Sequence, residues 1–275
     1  MSPEEVVEIG QNCRGLIAGV EEYSKETLLK LPRLICISRC GAGIDNIDLD
    51  AATHRGISVL NTPDEPTTAV AEITLMMMLS LLRRMPRVNR LMHSRRWERV
   101  TGNLLSEKVV GIIGLGRIGK RVAEQVTAFG STVIGSDPNP DTQRAHMHDV
   151  EIVAMPELFK CADIISNHAS NMNDHRLFSG ELAFLSMKPG SWLVHMARGD
   201  MIDDMALNRA IDSGRLSGAG LDVYLDEPYT GVLCDNERVI LSPHQATLAI
   251  ETRNGMETGA VENLVRYLKG SDSIS

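Results

Sequence analysis

The chain has 275 residues, enough for one or two domains with a sizeable core, and its 43% hydrophobic and 23% charged residues are ordinary for a folded globular protein. A formal net charge of −8 and a sequence pI near 5.5 argue against nucleic acid or an anionic membrane as the partner, so any anionic ligand has to be held by a local cluster of cations. Cys13, Cys36, Cys40, Cys161 and Cys234 are scattered, odd in number and without Cys-x-x-Cys spacing. They read as free thiols in a reducing cytoplasm, and no metal site is expected.

The opening MSPEEVVEIG has neither a basic segment nor an apolar core, so no secretory signal is expected. Ser2-Pro3-Glu4-Glu5 instead reads as an N-cap, a proline at the first helical position and an acidic first turn, which predicts a helix. Two apolar runs of strand length, Gly15 to Val20 and Leu34 to Ser38, flank a capped helical segment from Ser24 to Leu31. A third run, Ile57 to Leu60, ends at the turn signal Asn61-Thr62-Pro63. From Pro66 to Trp97 the pattern is helical, with an apolar stretch ahead of the basic segment Arg83 to Arg96. The longest apolar run, Ile73 to Leu82, is far short of the ~20 residues a membrane span needs. Met76, Met77 and Met78 lie in it, and their flexible thioethers suit core or subunit-interface packing better than a cofactor wall.

After Lys108 the sequence VVGIIGLGRIG is an apolar strand entering a glycine-rich turn, followed by a helix and a second strand, Thr132 to Gly135, ending at Asp137. Further strands are predicted at Asp163 to Ser166, Trp192 to His195, Gly218 to Val223 and Arg238 to Leu241. Strands alternating with helices predict parallel sheets with crossover helices. No internal repeat is visible, and the tail from Gly270 to Ser275 is expected to fray.

The turn Gly114-Leu115-Gly116-Arg117-Ile118-Gly119 sits in the setting that gives such a motif its meaning. Gly114 makes the tight turn, Gly116 lets the backbone approach a pyrophosphate, and Gly119 lets the helix pack on the sheet. The helix N-terminus supplies free N–H groups and a partial positive charge to phosphate oxygens. Asp137, 18 residues beyond Gly119, ends the second strand, where a carboxylate accepts the adenosine ribose hydroxyls and repels a 2′-phosphate. That predicts NAD rather than NADP.

Six ordered motifs extend the pattern over nearly the whole chain. They are RCGAGIDNIDLDAA (Arg39 to Ala52), NTPDEPTTAVAE (Asn61 to Glu72), GIIGLGRIG, MKPGSWLVHMARGDMID (Met187 to Asp203), GAGLDVYLDEP (Gly218 to Pro228) and SPHQAT (Ser242 to Thr247). With them the chain resembles the D-isomer-specific 2-hydroxyacid dehydrogenases, most closely their phosphoglycerate-dehydrogenase-like branch. The resemblance implies that Arg198 binds a substrate carboxylate and polarises the keto oxygen, a task suited to a permanently charged, forked guanidinium. It implies that His244 is the acid/base and that Glu227 pairs with it, stabilising the imidazolium. Formate dehydrogenases of this fold carry Gln at the position of Glu227, which disfavours formate. Also implied are cofactor contacts at Arg117, Ile118, Asp137, His168, Ala169, Met196 and Asp222, and a substrate-binding loop at Arg39, Ala42 and Gly43.

The implied fold is α/β: a Rossmann-type doubly wound parallel sheet over residues 67–245, and a smaller flavodoxin-like substrate domain from residues 1–66 and 246–275. The substrate domain is expected to be shortened, because family members begin with a further strand and helix. The implied function is NAD-dependent interconversion of a small 2-keto acid and its D-2-hydroxy acid, by a cytoplasmic homodimer. An NAD-sensing protein like the C-terminal-binding corepressors, and an inactive NAD binder, are the alternatives.

Three departures from the family pattern stand out. His195 replaces the usual Asn and is expected to be a structural substitute. The segment Asn171 to His175 lacks the usual threonines. Glu21 and Glu22 stand where related phosphoglycerate enzymes place an arginine, which disfavours a phosphorylated substrate.

Overall fold

The computed structural model describes residues 1–141, 149–169 and 180–272 and divides into two compact units, Met1–Ala69 with Thr247–Ser275, and Val70–Ala246.

The first unit opens with α1 (Pro3–Gly10), whose N-cap Ser2 and third helical residue Glu5 form a reciprocal capping box that satisfies two otherwise orphaned N–H groups. Three strands, β1 (Gly15–Ala18), β2 (Cys36–Arg39) and β3 (Ser58–Asn61), pair in parallel in that order. Between them lie α2 (Lys25–Leu29), capped by Ser24, and α3 (Leu49–His54), capped by Asp48. Leu28, Leu31, Ile37 and Tyr23 close the core. The chain's last helix packs on this sheet: Tyr267 and Ser58 hydroxyls are 2.9 Å apart, and a β-carbon at Gly15 would meet Leu264. That helix continues to Asp272, further than the fraying expected from Gly270 onward.

The stretch of helical pattern from Pro66 to Trp97 forms two helices, α4 (Pro66–Leu82) and α5 (Met85–His93). Arg84 between them is left-handed at φ 52°, and Pro86 opens the next helix. Pro86 brings no N–H to bond the Leu82 carbonyl four residues back, so the first helix stops, and Asn103 N–H takes the freed Leu82 carbonyl at 3.0 Å. Met77 and Met78 are fully buried as expected of core methionines, while Met76 is half exposed.

The second unit is built on seven parallel strands: β4 (Val109–Ile113), β5 (Thr132–Ser136), β6 (Val150–Ile152), β7 (Ile164–Asn167), β8 (Ser191–His195), β9 (Leu216–Leu221) and β10 (Val239–Leu241). Their order is β10-β9-β8-β7-β4-β5-β6. Ile112, Val133, Ile164 and Val194 enter one core layer, while Ile113, Ile134, Ile165 and Leu193 enter the other. Both faces are therefore covered, which is why these strands read as unbroken apolar runs. The chain leaves β4 toward β5 and β6 and then returns to β7 on the other side, so the carboxyl ends of β4 and β7 form the switch point where such sheets bind ligands.

Gly218 lies against the neighbouring strand's backbone, and a β-carbon there would stand 2.4 Å from the Arg238 carbonyl oxygen. Gly218→Ala should push β10 away and cost ~1–3 kcal/mol, read as a lower melting temperature in a thermal melt.

Candidate active site

The turn after β4 is shaped by three glycines with three different surroundings. Gly114 is left-handed at φ 83°, and a β-carbon there would lie 2.7 Å from Ala169 N. At Gly119 it would lie 2.0 Å from the Gly114 carbonyl oxygen, so the following helix, α6 (Arg117–Ala128), closes on the turn only because that carbon is absent. At Gly116 a β-carbon would meet nothing within 4 Å. Gly116 is the N-cap of α6, and among the described residues no side chain caps the helix. The N-terminus is thus left open toward an anion. Asp137 faces the same turn: its Oδ2 accepts from Leu115 N at 2.7 Å and its Oδ1 from Asn139 N at 2.8 Å.

At the end of β7, the Ser166 hydroxyl and His168 Nε2 are 2.8 Å apart, while the buried His168 Nδ1 has no hydrogen-bond partner among the described residues. Burial, reinforced by the nearby His195 ring, pushes the His168 pKa down to about 3. Ala169 is buried, with its N–H on Asn167 Oδ1 at 3.1 Å.

At the end of β8, His195 is fully buried and its pKa is pushed down to about 4, mainly by burial. Its ring is bonded on both sides, to the Asn167 amide at 3.2 Å and to the Arg198 carbonyl at 2.7 Å, so it is a neutral structural histidine, as expected. Met196 is buried. Arg198 is half-buried and donates from Nη1 to the Ala197 carbonyl at 2.8 Å. The next residue, Gly199, lies so close to the Tyr224 peptide that a β-carbon would stand 1.9 Å from its carbonyl carbon.

Beyond β9 and β10 two loops meet. His244, left-handed at φ 49°, sets Nδ1 at 2.9 Å from Glu227 Oε2 and 3.1 Å from Oε1. Glu227 Oε1 also accepts from Tyr224 N at 3.1 Å. The imidazole is 58% exposed, so its far edge is open to a substrate. Asp222, in contrast, is buried and occupied by the His244 loop: Oδ1 accepts from the Ser242 hydroxyl at 2.6 Å and from Gln245 N at 2.9 Å, and Oδ2 from Ala246 N at 2.9 Å. Tyr224 adds a second clamp, its hydroxyl 3.0 Å from the Ser242 carbonyl, and its ring stacks on Tyr229 with centroids 4.3 Å apart. A cavity of about 510 Å³ opens beside this loop, lined in part by Asp204, Met205, Leu225 and Tyr229, and contains none of the predicted site residues.

Arg198, Glu227, His244 and the glycine turn therefore all follow carboxyl ends of strands in one parallel sheet. Arg39, the last residue of β2, and Ala42 and Gly43 in the loop after it belong to the first unit. That loop is tied to the Asn61-Thr62 turn: Gly41 N donates to Thr62 Oγ1 and Asn61 Nδ2 to the Ala42 carbonyl, both at 2.8 Å. Arg39 Nη1 donates to the Cys40 carbonyl. Glu21 is turned onto its own loop, accepting from Gly19 N at 2.8 Å. The segment Asn171 to His175 lies outside the described residues.

Asn167, Ser242 and Tyr224 were not marked by sequence. Each acts through a backbone group remote in the chain or through a strand neighbour, and no local motif announces that. Among the described residues, no group of three or more His, Cys, Asp or Glu could hold a metal ion, and no helix is long and apolar enough to cross a membrane.

Residues 75–246 match the NAD binding domain of the D-isomer specific 2-hydroxyacid dehydrogenases. The chain belongs to this family. A D-3-phosphoglycerate dehydrogenase of Sus scrofa is 36% identical over 98% of this chain and 50% of its own length, so the chain spans about half the length of the curated relatives it matches. Among solved structures of the family, a D-lactate dehydrogenase from Aquifex aeolicus, complexed with NAD and lactic acid, superposes with a TM-score of 0.90 at 28% identity, covering 98% of this chain and 87% of that one. A glyoxylate reductase from Paecilomyes thermophila gives 0.89 at 30% identity, covering 96% and 85%. NAD is the cofactor, and the residues present fit it: the uncapped helix, the open side of Gly116 and the orphaned His168 nitrogen are features a bound dinucleotide would complete.

The glycines separate binding from folding. Gly116→Ala should leave the melting temperature unchanged but weaken NADH binding about tenfold or more by fluorescence titration, whereas Gly119→Ala should lower both. His168 and His195 carry a pH signature. Their folded pKa values lie below the usual 6.5, so the unfolded chain binds the extra protons, and stability present above pH 6.5 is lost as pH falls toward 4 and 3. His195→Gln should flatten the melting temperature's decline between pH 6.5 and 4; an unchanged slope contradicts the burial of a neutral ring.

Proposed function

We propose that this chain is the core of an NAD-dependent oxidoreductase that interconverts a small 2-keto acid and its D-2-hydroxy acid. The observation that carries the reading is the Glu227–His244 pair at 2.9 Å on the same sheet edge as Arg198 and the glycine turn. Residues 67–245 serve as the NAD-binding domain, and residues 1–66 with 246–275 as the substrate domain.

Gly114, Gly116, Arg117, Ile118 and Gly119, with Asp137, hold the dinucleotide on one side of the switch point, and His168, Ala169, Met196 and Asp222 on the other. When bound, the dinucleotide supplies hydride exchange at C2 of the substrate. Arg198 grips the substrate carboxylate and polarises the keto oxygen, and Arg39, Ala42 and Gly43 are the substrate-binding residues of the first unit. Glu227 holds His244 by Nδ1, so the proton that moves to or from the substrate oxygen is carried on Nε2. As the imidazole becomes cationic, the carboxylate beside it stabilises that charge. Asp222 keeps this histidine in place by holding the Ser242 hydroxyl before it and the Gln245 and Ala246 N–H groups after it.

Glyoxylate or hydroxypyruvate suits the site at least as well as 3-phosphohydroxypyruvate. Glu21 and Glu22 place negative charge in the loop where related phosphoglycerate enzymes place an arginine, and Glu21 is braced there by Gly19 N. The five free cysteines support a reducing, cytoplasmic setting. The half-exposed Met76, Met85 and Met92 and the 80% exposed Trp97 support a homodimer formed through the α4–α5 region.

Turnover of the three keto acids with NADH tests the substrate, and a strong preference for the phosphorylated one would overturn this choice. Arg198→Ala and His244→Ala should each lower kcat/KM by about 10²–10⁴ with NADH affinity kept within a fewfold. Equal loss of NADH affinity would remove both residues from the chemistry.

A further inference from the structure

Two buried polar side chains at the candidate site have so far been given no part in its chemistry. Asn167 and His195 end β7 and β8, pair in register across the two strands, and are both 0% exposed. Burying an amide against an imidazole costs stability unless each donor finds an acceptor, and here the pairing is complete. Asn167 Oδ1 takes the Ala169 N–H at 3.1 Å, which aims Nδ2 at His195 Nδ1, 3.2 Å away, with Met201 Sδ at 3.6 Å. An amide nitrogen only donates, so Nδ1 is the acceptor and the ring proton sits on Nε2. Nε2 then donates to the Arg198 carbonyl at 2.7 Å, an oxygen that also accepts from Met201 N at 3.2 Å.

We propose that Asn167 and His195 form a neutral hydrogen-bonded strut that positions Arg198. The strut is anchored on two strands and ends on the peptide immediately after Arg198, whose carbonyl opens the short 3-10 turn Gly199–Met201. By holding that carbonyl it sets the plane of the peptide, and so the direction in which the guanidinium leaves the backbone. Apolar side chains of the same size would fill the space equally well and leave that carbonyl to the weaker hold of the Met201 N–H alone. The other end of the strut holds the Ala169 N–H, so the turn after β7 and the turn after β8 are fixed by one chain of bonds. The inference rests on the carboxylate-gripping role given to Arg198 above.

The test uses His195→Gln, whose amide nitrogen reaches about as far as Nε2, and His195→Leu, which fills the space without a donor. The probe is oxamate, a carboxylate analogue of a 2-keto acid, titrated by calorimetry into the NADH-loaded protein, with NADH affinity and melting temperature measured in parallel. His195→Leu should weaken oxamate about tenfold and His195→Gln by no more than about threefold, with NADH affinity within about twofold in both, as expected for one neutral hydrogen bond acting on Arg198. If His195→Leu does not fold, His195→Met, which likewise offers no donor to the Arg198 carbonyl, takes its place with the same expectation. Unchanged oxamate affinity in His195→Leu, a parallel loss of NADH affinity, or an equal loss in His195→Gln overturns the strut. So does a wild-type protein that binds NADH but not oxamate, or a His195 ring found by ¹⁵N NMR at pH 7 with its proton on Nδ1. A wild-type protein that binds oxamate yet reduces no 2-keto acid defeats the proposed function and leaves the strut standing.

Discussion

Burial of the seven-stranded sheet on both faces is the constraint on which the rest of the second unit depends. Once Ile112 and Ile113, Val133 and Ile134, and Leu193 and Val194 must each face opposite core layers, every strand needs a helix or loop to carry the chain back, and all strands run parallel. Parallel strands deliver all their carboxyl ends to one edge. The glycine turn, His168, Arg198, Glu227 and His244 converge there because of the sheet, although up to 130 residues separate them (Gly114 to His244).

What the sheet does not supply is the orientation of the loops at that edge, and carboxylates and amides supply it. Asp137 pins the glycine turn through Leu115 N, Asp222 pins the loop carrying His244 through three donors, and Asn167 pins the turn after β7 through Ala169 N. In each case a side chain at the end of one strand satisfies backbone or side-chain donors of a loop, so the desolvation that burial would otherwise cost is offset by bonds that also fix geometry.

The sequence carried much of this in plain view. VVGIIGLGRIG announces a two-sided strand and its turn, Ser2, Ser24 and Asp48 mark helix starts, and ARG, DEP and SPH name the residues whose side chains come to the sheet edge. The missing parts share a cause. The three-residue β6 has too little pattern to be seen, its single Glu151 interrupting two apolar residues. The break at Arg84 depends on Asn103 claiming the Leu82 carbonyl, and the Ser242, Tyr224 and Asn61-Thr62 clamps act across 18 to 21 residues or more of chain. Periodicity reports which face of an element is buried; it carries no record of which distant carbonyl or carboxylate completes a loop.

Gly199 sits with no room for a β-carbon against the Tyr224 peptide, so the loop carrying Arg198 and the loop carrying Glu227 are in backbone contact. Two such surfaces cannot drift separately over evolution. An insertion or a changed backbone path in the Tyr224–Glu227 segment alters the space left for Gly199, and with it the setting of Arg198. Loop exchange among relatives, to borrow one member's selectivity for another, therefore has to treat these two segments as one transferable block.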